Sequence, residues 1–85
     1  MSVRKMVRKK KYGIEIFNDE FNHQKFVVEV ISQTLGYHFT HAMQCTNMIE
    51  LKGSYIVKTV DSKEIAETYR NILVSNGLIA KIIPL

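Results

Sequence analysis

An α+β sandwich, with three helices layered on one face of a small three-stranded sheet, is the fold class that this 85-residue sequence predicts. Two observations carry it. Tyr12, Ile14 and Ile16 alternate with Gly13, Glu15 and Phe17, the period of a half-buried strand. Three apolar stripes of helical spacing follow, each closed by a glycine, and two of those glycines lead into β-forming runs. The element order is β-α-α-β-α-β. At this length the chain is one domain whose core is small but able to fold without staples.

The first strand ends in a polar hexad, Phe17-Asn18-Asp19-Glu20-Phe21-Asn22. Asn22 reads as the N-cap of a helix starting near His23, with Phe26, Val27, Val30 and Ile31 as its apolar face and Leu35-Gly36 as its stop. A second helix runs from about Phe39 to Lys52, with Ala42, Cys45, Met48 and Ile49 inward and Gly53 as C-cap. Tyr55, Ile56, Val57 and Val60 make the second strand. Asp61 or Ser62 opens the third helix, Asp61 and Glu64 having the spacing of a capping box. Ile65, Ala66, Tyr69, Ile72 and Leu73 are its buried stripe, and Asn76-Gly77 closes it. Leu78, Ile79, Ala80, Ile82 and Ile83 form the last strand, which Pro84 ends because it has no N–H to donate.

Charge divides the chain. Six of the 12 basic residues (Arg4, Lys5, Arg8, Lys9, Lys10, Lys11) precede Tyr12, where there is no acid, and the rest carries 6 basic against 8 acidic groups. Residues 1–11 are therefore a basic, loosely ordered arm, and residues 12–85 are a mildly acidic domain. The arm permits nonspecific phosphate contact, but a solvated arm or one that touches an acidic protein surface is the favoured reading. Nucleic acid is not an expected partner. No apolar run reaches membrane-spanning length, no apolar segment follows the basic start as in a secretory signal, and Cys45 has no second cysteine to pair with. Cytoplasm is the expected compartment.

Residues suited to catalysis are sparse. Cys45 lies mid-helix on an apolar face with no local activator, the setting of a packing thiol. His38 and His41 have the spacing of a two-ligand metal site but lack a third ligand. No phosphate loop, nucleophile elbow or carboxylate dyad is present in the sequence. The expectation is a protein that is not an enzyme and takes no cofactor or metal.

Three blocks carry a family resemblance: Asn18-Asp19-Glu20-Phe21, then Lys25-Phe26-Val27-Val28-Glu29-Val30-Ile31, then Glu64-Ile65-Ala66-Glu67-Thr68. In order and near spacing they resemble the ClpS adaptors, which deliver substrates with particular N-terminal residues to the Clp protease. The resemblance extends from Tyr12 to about Ile83. It implies that the three strands are antiparallel, as in the C-terminal domain of the ribosomal stalk protein, which resembles ClpS in fold. It also implies that Asn18 and Asp19 hold a substrate's α-ammonium. That group has three donors and no acceptor, so a site for it must supply acceptors. A family histidine on the second helix falls here on Glu50, which accepts but cannot donate.

The resemblance further implies a pocket for the first side chain at Asn22, Gln24, Val27, Thr46, Ile49 and Leu78. Gln24 and Thr46 stand where the family has methionines. Two polar groups there weaken the grip on Leu, Phe, Tyr or Trp unless they find partners. Glu64 matches a residue facing the N-terminal domain of the partner AAA+ unfoldase ClpA, and Tyr69 stands where a lysine is expected. The departures leave two functions open: an adaptor that recognises N-terminal residues (N-degrons), or an interaction module on the same fold that has lost amine recognition. Apart from the resemblance, the hexad reads as turn and capping chemistry, and Glu64 with Glu67 as an acidic first turn.

Overall fold

The computed structural model describes residues 10–85. Residues 1–9, most of the expected arm, lie outside the described residues. The elements are β1 (Tyr12–Phe17), α1 (Gln24–Leu35), α2 (Phe39–Lys52), β2 (Ser54–Val60), α3 (Lys63–Ser75) and β3 (Ile79–Pro84). The sheet is antiparallel in the order β2-β1-β3, so β1 is the central strand and its end carries the hexad to the middle of the molecule. Among the described residues no helix is long and apolar enough to cross a membrane.

Alternation sets the two faces of the sheet. Ile14 and Ile16 of β1, Val57 of β2 and Ala80 of β3 are buried with Val28, Val30, Ile31, Ala42, Cys45, Ile49, Ala66 and Leu73 of the helices. On the other face the Ser54 hydroxyl donates to Glu15 Oε2 at 2.6 Å, and the Lys81 ammonium lies 5.4 Å from the Phe17 ring centre. The β1–β2 register slips between Ile14, opposite Lys58, and Glu15, opposite Ile56, so Val57 is the extra residue of a bulge. Its carbonyl accepts a 2.6 Å hydrogen bond from the Tyr37 hydroxyl. The Tyr37 ring stacks on His41 at 3.9 Å, and the Lys58 ammonium is 5.8 Å from its centre. Burial first, then the neighbouring Cys45, Tyr69 and Tyr55, push the Tyr37 hydroxyl above its ordinary value.

Several local expectations are corrected. The N-cap of α1 is His23, with no side-chain cap bond, and the helix begins at Gln24; Asn22 bonds elsewhere because the loop needs its amide. The buried stripe of α1 is Val28, Val30, Ile31 and Leu35, and Phe26 is exposed. Val28, Ile31 and Leu35 follow one helical ridge, which turns Phe26 outward. On α2 Thr46 is buried and Met48 only half-buried. On α3 Ser62, not Asp61, is the cap, its hydroxyl accepting from Ile65 N–H at 3.2 Å. Only Ala66 and Leu73 of its expected stripe are fully buried; Tyr69 is half-buried, and Ile65 and Ile72 are exposed, because one helix face meets the sheet along a narrow line. Leu78 precedes β3, and Pro84 is its last residue, paired with Tyr12. Lys11, expected in the arm, accepts a backbone bond from Leu85 N–H.

Two glycines tie the fold to the hexad. Gly53 (φ 90°) ends α2 in a conformation that side chains disfavour, and its carbonyl accepts from Asn18 N–H at 2.9 Å. Gly77 (φ 92°) turns α3 into β3, and its carbonyl accepts from Asn22 Nδ2 at 3.0 Å.

Truncation should separate core from surface. Leu73→Ala, at a fully buried position, should cost about 2–5 kcal/mol in urea unfolding. Phe21→Ala, at a ring 92% exposed, should change stability by less than about 0.5 kcal/mol.

Candidate functional site

A small cleft opens where the hexad meets the N-terminal end of α1, the C-terminal half of α2 and Leu78, just before β3. It is lined by Ile16, Phe17, Asn18, Asp19, Asn22, Gln24, Val27, Thr46, Ile49, Glu50 and Leu78. All nine residues that the sequence nominated for amine contact or pocket wall meet at this one cleft. Sequence reasoning missed Ile16 and Phe17, which it assigned to the strand; their place immediately before the hexad was the available signal.

The loop is braced by its own side chains. Asp19 Oδ1 accepts from the backbone N–H of Phe21 and of Asn22, each at 2.8 Å, and Oδ2 accepts from Asn22 Nδ2 at 3.0 Å. Burial pushes the Asp19 carboxyl upward, but the Asn22 side chain and the two backbone donors together outweigh it and hold the group below its ordinary value of 3.8. Both Asn22 amide hydrogens are spent on oxygens, of Asp19 and Gly77, which assigns the amide orientation and leaves Oδ1 as an acceptor.

The remaining polar groups fall into two kinds. Thr46 donates to Ala42 O at 2.9 Å, so its buried hydroxyl is satisfied within α2. Gln24 Nε2 donates to Asn47 Oδ1 at 2.8 Å, a bond from the first residue of α1 to α2. The Asn18 side chain and the Glu50 carboxylate, by contrast, make no hydrogen bond or ion pair among the described residues. Glu50 is exposed and sits one helical turn beyond Thr46. The cleft thus joins free acceptors to an apolar floor of Ile16, Ile49 and Leu78, each less than 5% exposed.

The other candidate residues lie elsewhere. Glu64 is exposed in the first turn of α3, where its carbonyl accepts from Thr68 Oγ1 at 3.0 Å. Tyr69 is half-buried one face further on, its ring centre 5.9 Å from the Lys58 ammonium. Cys45 is buried, which pushes its thiol up. His38 is the N-cap residue of α2 without a side-chain cap bond, and His41 stacks on Tyr37. Among the described residues no three histidine, cysteine or acidic side chains are grouped to hold a metal ion.

The family model described as ATP-dependent Clp protease adaptor protein ClpS matches residues 7–80. The chain belongs to the ClpS family. It is therefore a Clp protease adaptor, in a family that assists a protease and is not itself described as one. Among solved structures, Agrobacterium tumefaciens ClpS2 bound to L-phenylalaninamide superposes with a TM-score of 0.79. The match has 21% identity and covers 92% of this chain and 100% of that one, which shows a shared fold, antiparallel sheet included. No curated protein matches the chain in sequence.

The Asp19 brace carries a pH signature. Because its folded-state pKa is depressed, its contribution to stability is present above about pH 4 and is lost as pH falls through the lower folded value. Urea midpoints measured from pH 6 down to pH 2 should show a smaller acid-side loss for Asp19→Asn than for the parent chain.

Proposed function

We propose that this adaptor captures proteins by their free N-terminal α-ammonium in the cleft and presents them through α3 to the N-terminal domain of a Clp-type AAA+ unfoldase. The observation that carries the reading is the pair of unpartnered acceptor side chains, Asn18 and Glu50, lining one cleft with an apolar floor. An ammonium brings three donors, and Asn18 Oδ1, Asn22 Oδ1 and the Glu50 carboxylate are three acceptors for them. Asp19 adds negative charge while its oxygens hold the loop in place.

Glu50 changes the energetics relative to a neutral histidine. A carboxylate attracts the ammonium by charge as well as by hydrogen bonding, and charge-assisted bonds are worth about 1.5–3 kcal/mol. Its exposure keeps the desolvation cost small before a ligand arrives. That the solved relative ClpS2 carries an amino-acid amide, a ligand with a free α-amine, supports the same use of the fold here. On the partner side, we assign the unfoldase contact to α3, through the exposed Glu64 and the half-buried Tyr69.

The second reading, an interaction module without amine recognition, is favoured by the polar Gln24 and Thr46 at the cleft wall. Fluorescence anisotropy of short peptides with varied first residues, each beside its N-acetylated twin, decides between them. The adaptor reading expects every peptide that binds to lose binding on acetylation, and Asn18→Ala and Glu50→Gln each to weaken it by about tenfold, or 1.4 kcal/mol. Equal binding of the acetylated twins selects the second reading. In a pull-down with the unfoldase N-terminal domain, Glu64→Lys should reduce capture while peptide binding by the same variant persists.

A further inference from the structure

The last strand has the composition of a strand buried on both sides. A sheet with one face in water alternates apolar and polar residues, whereas a strand covered on both faces reads as a near-continuous apolar run. Ile79-Ala80-Lys81-Ile82-Ile83 is such a run apart from one lysine. Ala80 and Ile82 pack toward the helices, so Ile79, Lys81 and Ile83 face the opposite side of the sheet.

Strand register lays out that outer side row by row. Phe17 of β1 stands between Ser54 and Ile79, Glu15 between Ile56 and Lys81, and Gly13 between Thr59 and Ile83. Ile56 and Leu85 lean together over Gly13, where a Cβ would meet Ile56 Cγ2 at 3.0 Å and Leu85 Cδ1 at 3.4 Å. Phe17, Ile56, Ile79, Ile83 and Leu85 thus surround a single acid and a single base, and Ile79 is 47% and Leu85 62% exposed. Glu15 and Lys81 are opposite each other across β1 and β3, yet neither makes an ion pair among the described residues: Glu15 accepts from Ser54, and Lys81 lies over Phe17.

This arrangement is complementary to itself. A twofold axis parallel to the strands, placed between β1 and β3, lays β1 of each copy over β3 of the other. It sets Glu15 of each copy against Lys81 of the other and Phe17 against Ile79, at the spacing of about 10 Å and the near alignment of packed sheets. A wholly apolar partner would leave both charges buried without a counter-charge, and a partner of one sign would repel one of them. A second copy satisfies both.

We propose that the outer side of the sheet is the interface of a twofold dimer of this chain, helix layers outermost, with Glu15 of each copy paired to Lys81 of the other. Three strands of about six residues cover only about 14 by 20 Å. The contact therefore falls in the class below about 1,200 Å² in total, and the dimer is weak and reversible.

Sedimentation velocity on the full chain from about 10 µM to about 1 mM tests it, and the parent should pass from monomer to dimer over that range. Ile79→Lys and Ile56→Lys should stay monomeric. Glu15→Lys and Lys81→Glu each set like charges across the axis and should each weaken association at least about tenfold. An equimolar mixture of those two variants should associate again as a heterodimer, because it restores opposite charges at both contacts, a recovery that misfolded variants could not give. A parent chain that stays monomeric throughout overturns the proposal and leaves the face to another occupant. Dimers that survive both Ile79→Lys and Ile56→Lys place the interface elsewhere and overturn it as well. Charge variants that weaken the dimer but fail to re-form it when mixed, while each keeps the parent's circular dichroism, overturn the Glu15–Lys81 pairing.

Discussion

The geometry of the cleft depends on the side-chain amide of Asn22. One of its hydrogens goes to Asp19 within the hexad and the other to the Gly77 carbonyl at the α3–β3 turn. With the Asn18 N–H fixed on Gly53 O at the end of α2, a six-residue polar loop is pinned at both ends to turns far away in sequence. A free loop of this composition would sample many conformations, and a ligand would have to order it at its own expense. Here the ordering is done by folding, and the Asn18 side chain and the Glu50 carboxylate stay available.

That pinning explains why turn chemistry and binding chemistry are hard to tell apart in this hexad. Asp19 and Asn22 are turn formers by residue type, and they act as such. Asn18 is of the same type but contributes only its backbone to the turn. In the sequence the three residues look alike; hydrogen-bond partners separate them. The same holds for the cap of α1, where Asn22 was the better capping residue by type but its amide is committed to the loop, so His23 takes the position with no side-chain bond.

The sheet and the order of the elements were legible because alternation in β1 and the glycines after each helix are local signals. Which residues of each helix are buried was less so. Phe26, Ile65 and Ile72 satisfy a helical stripe by spacing and still lie outside, since the way each helix packs on the sheet and on the other helices decides the burial of positions at the stripe's edge. The residues of the cleft came from the family resemblance, and the structure brings them to one place; that Thr46 and Gln24 already have partners, in Ala42 and Asn47, was beyond any reading of residue types. Those two bonds answer the cost of polar groups at an apolar wall: the groups are satisfied inside the protein and need nothing from a ligand.

The central claim is that this cleft binds a free α-amine. The direct measurement is a titration of the ¹⁵N-labelled full chain, followed through its backbone and side-chain amide resonances, with tetrapeptides beginning with alanine and with phenylalanine and with their N-acetylated forms. The account predicts shifts concentrated at residues 18–22, 24, 46–50 and 78, the Asn18 and Asn22 side-chain amides included, for a free-amine peptide and their loss on acetylation. Shifts that survive acetylation, or that fall on the exposed face of the sheet instead, would contradict it.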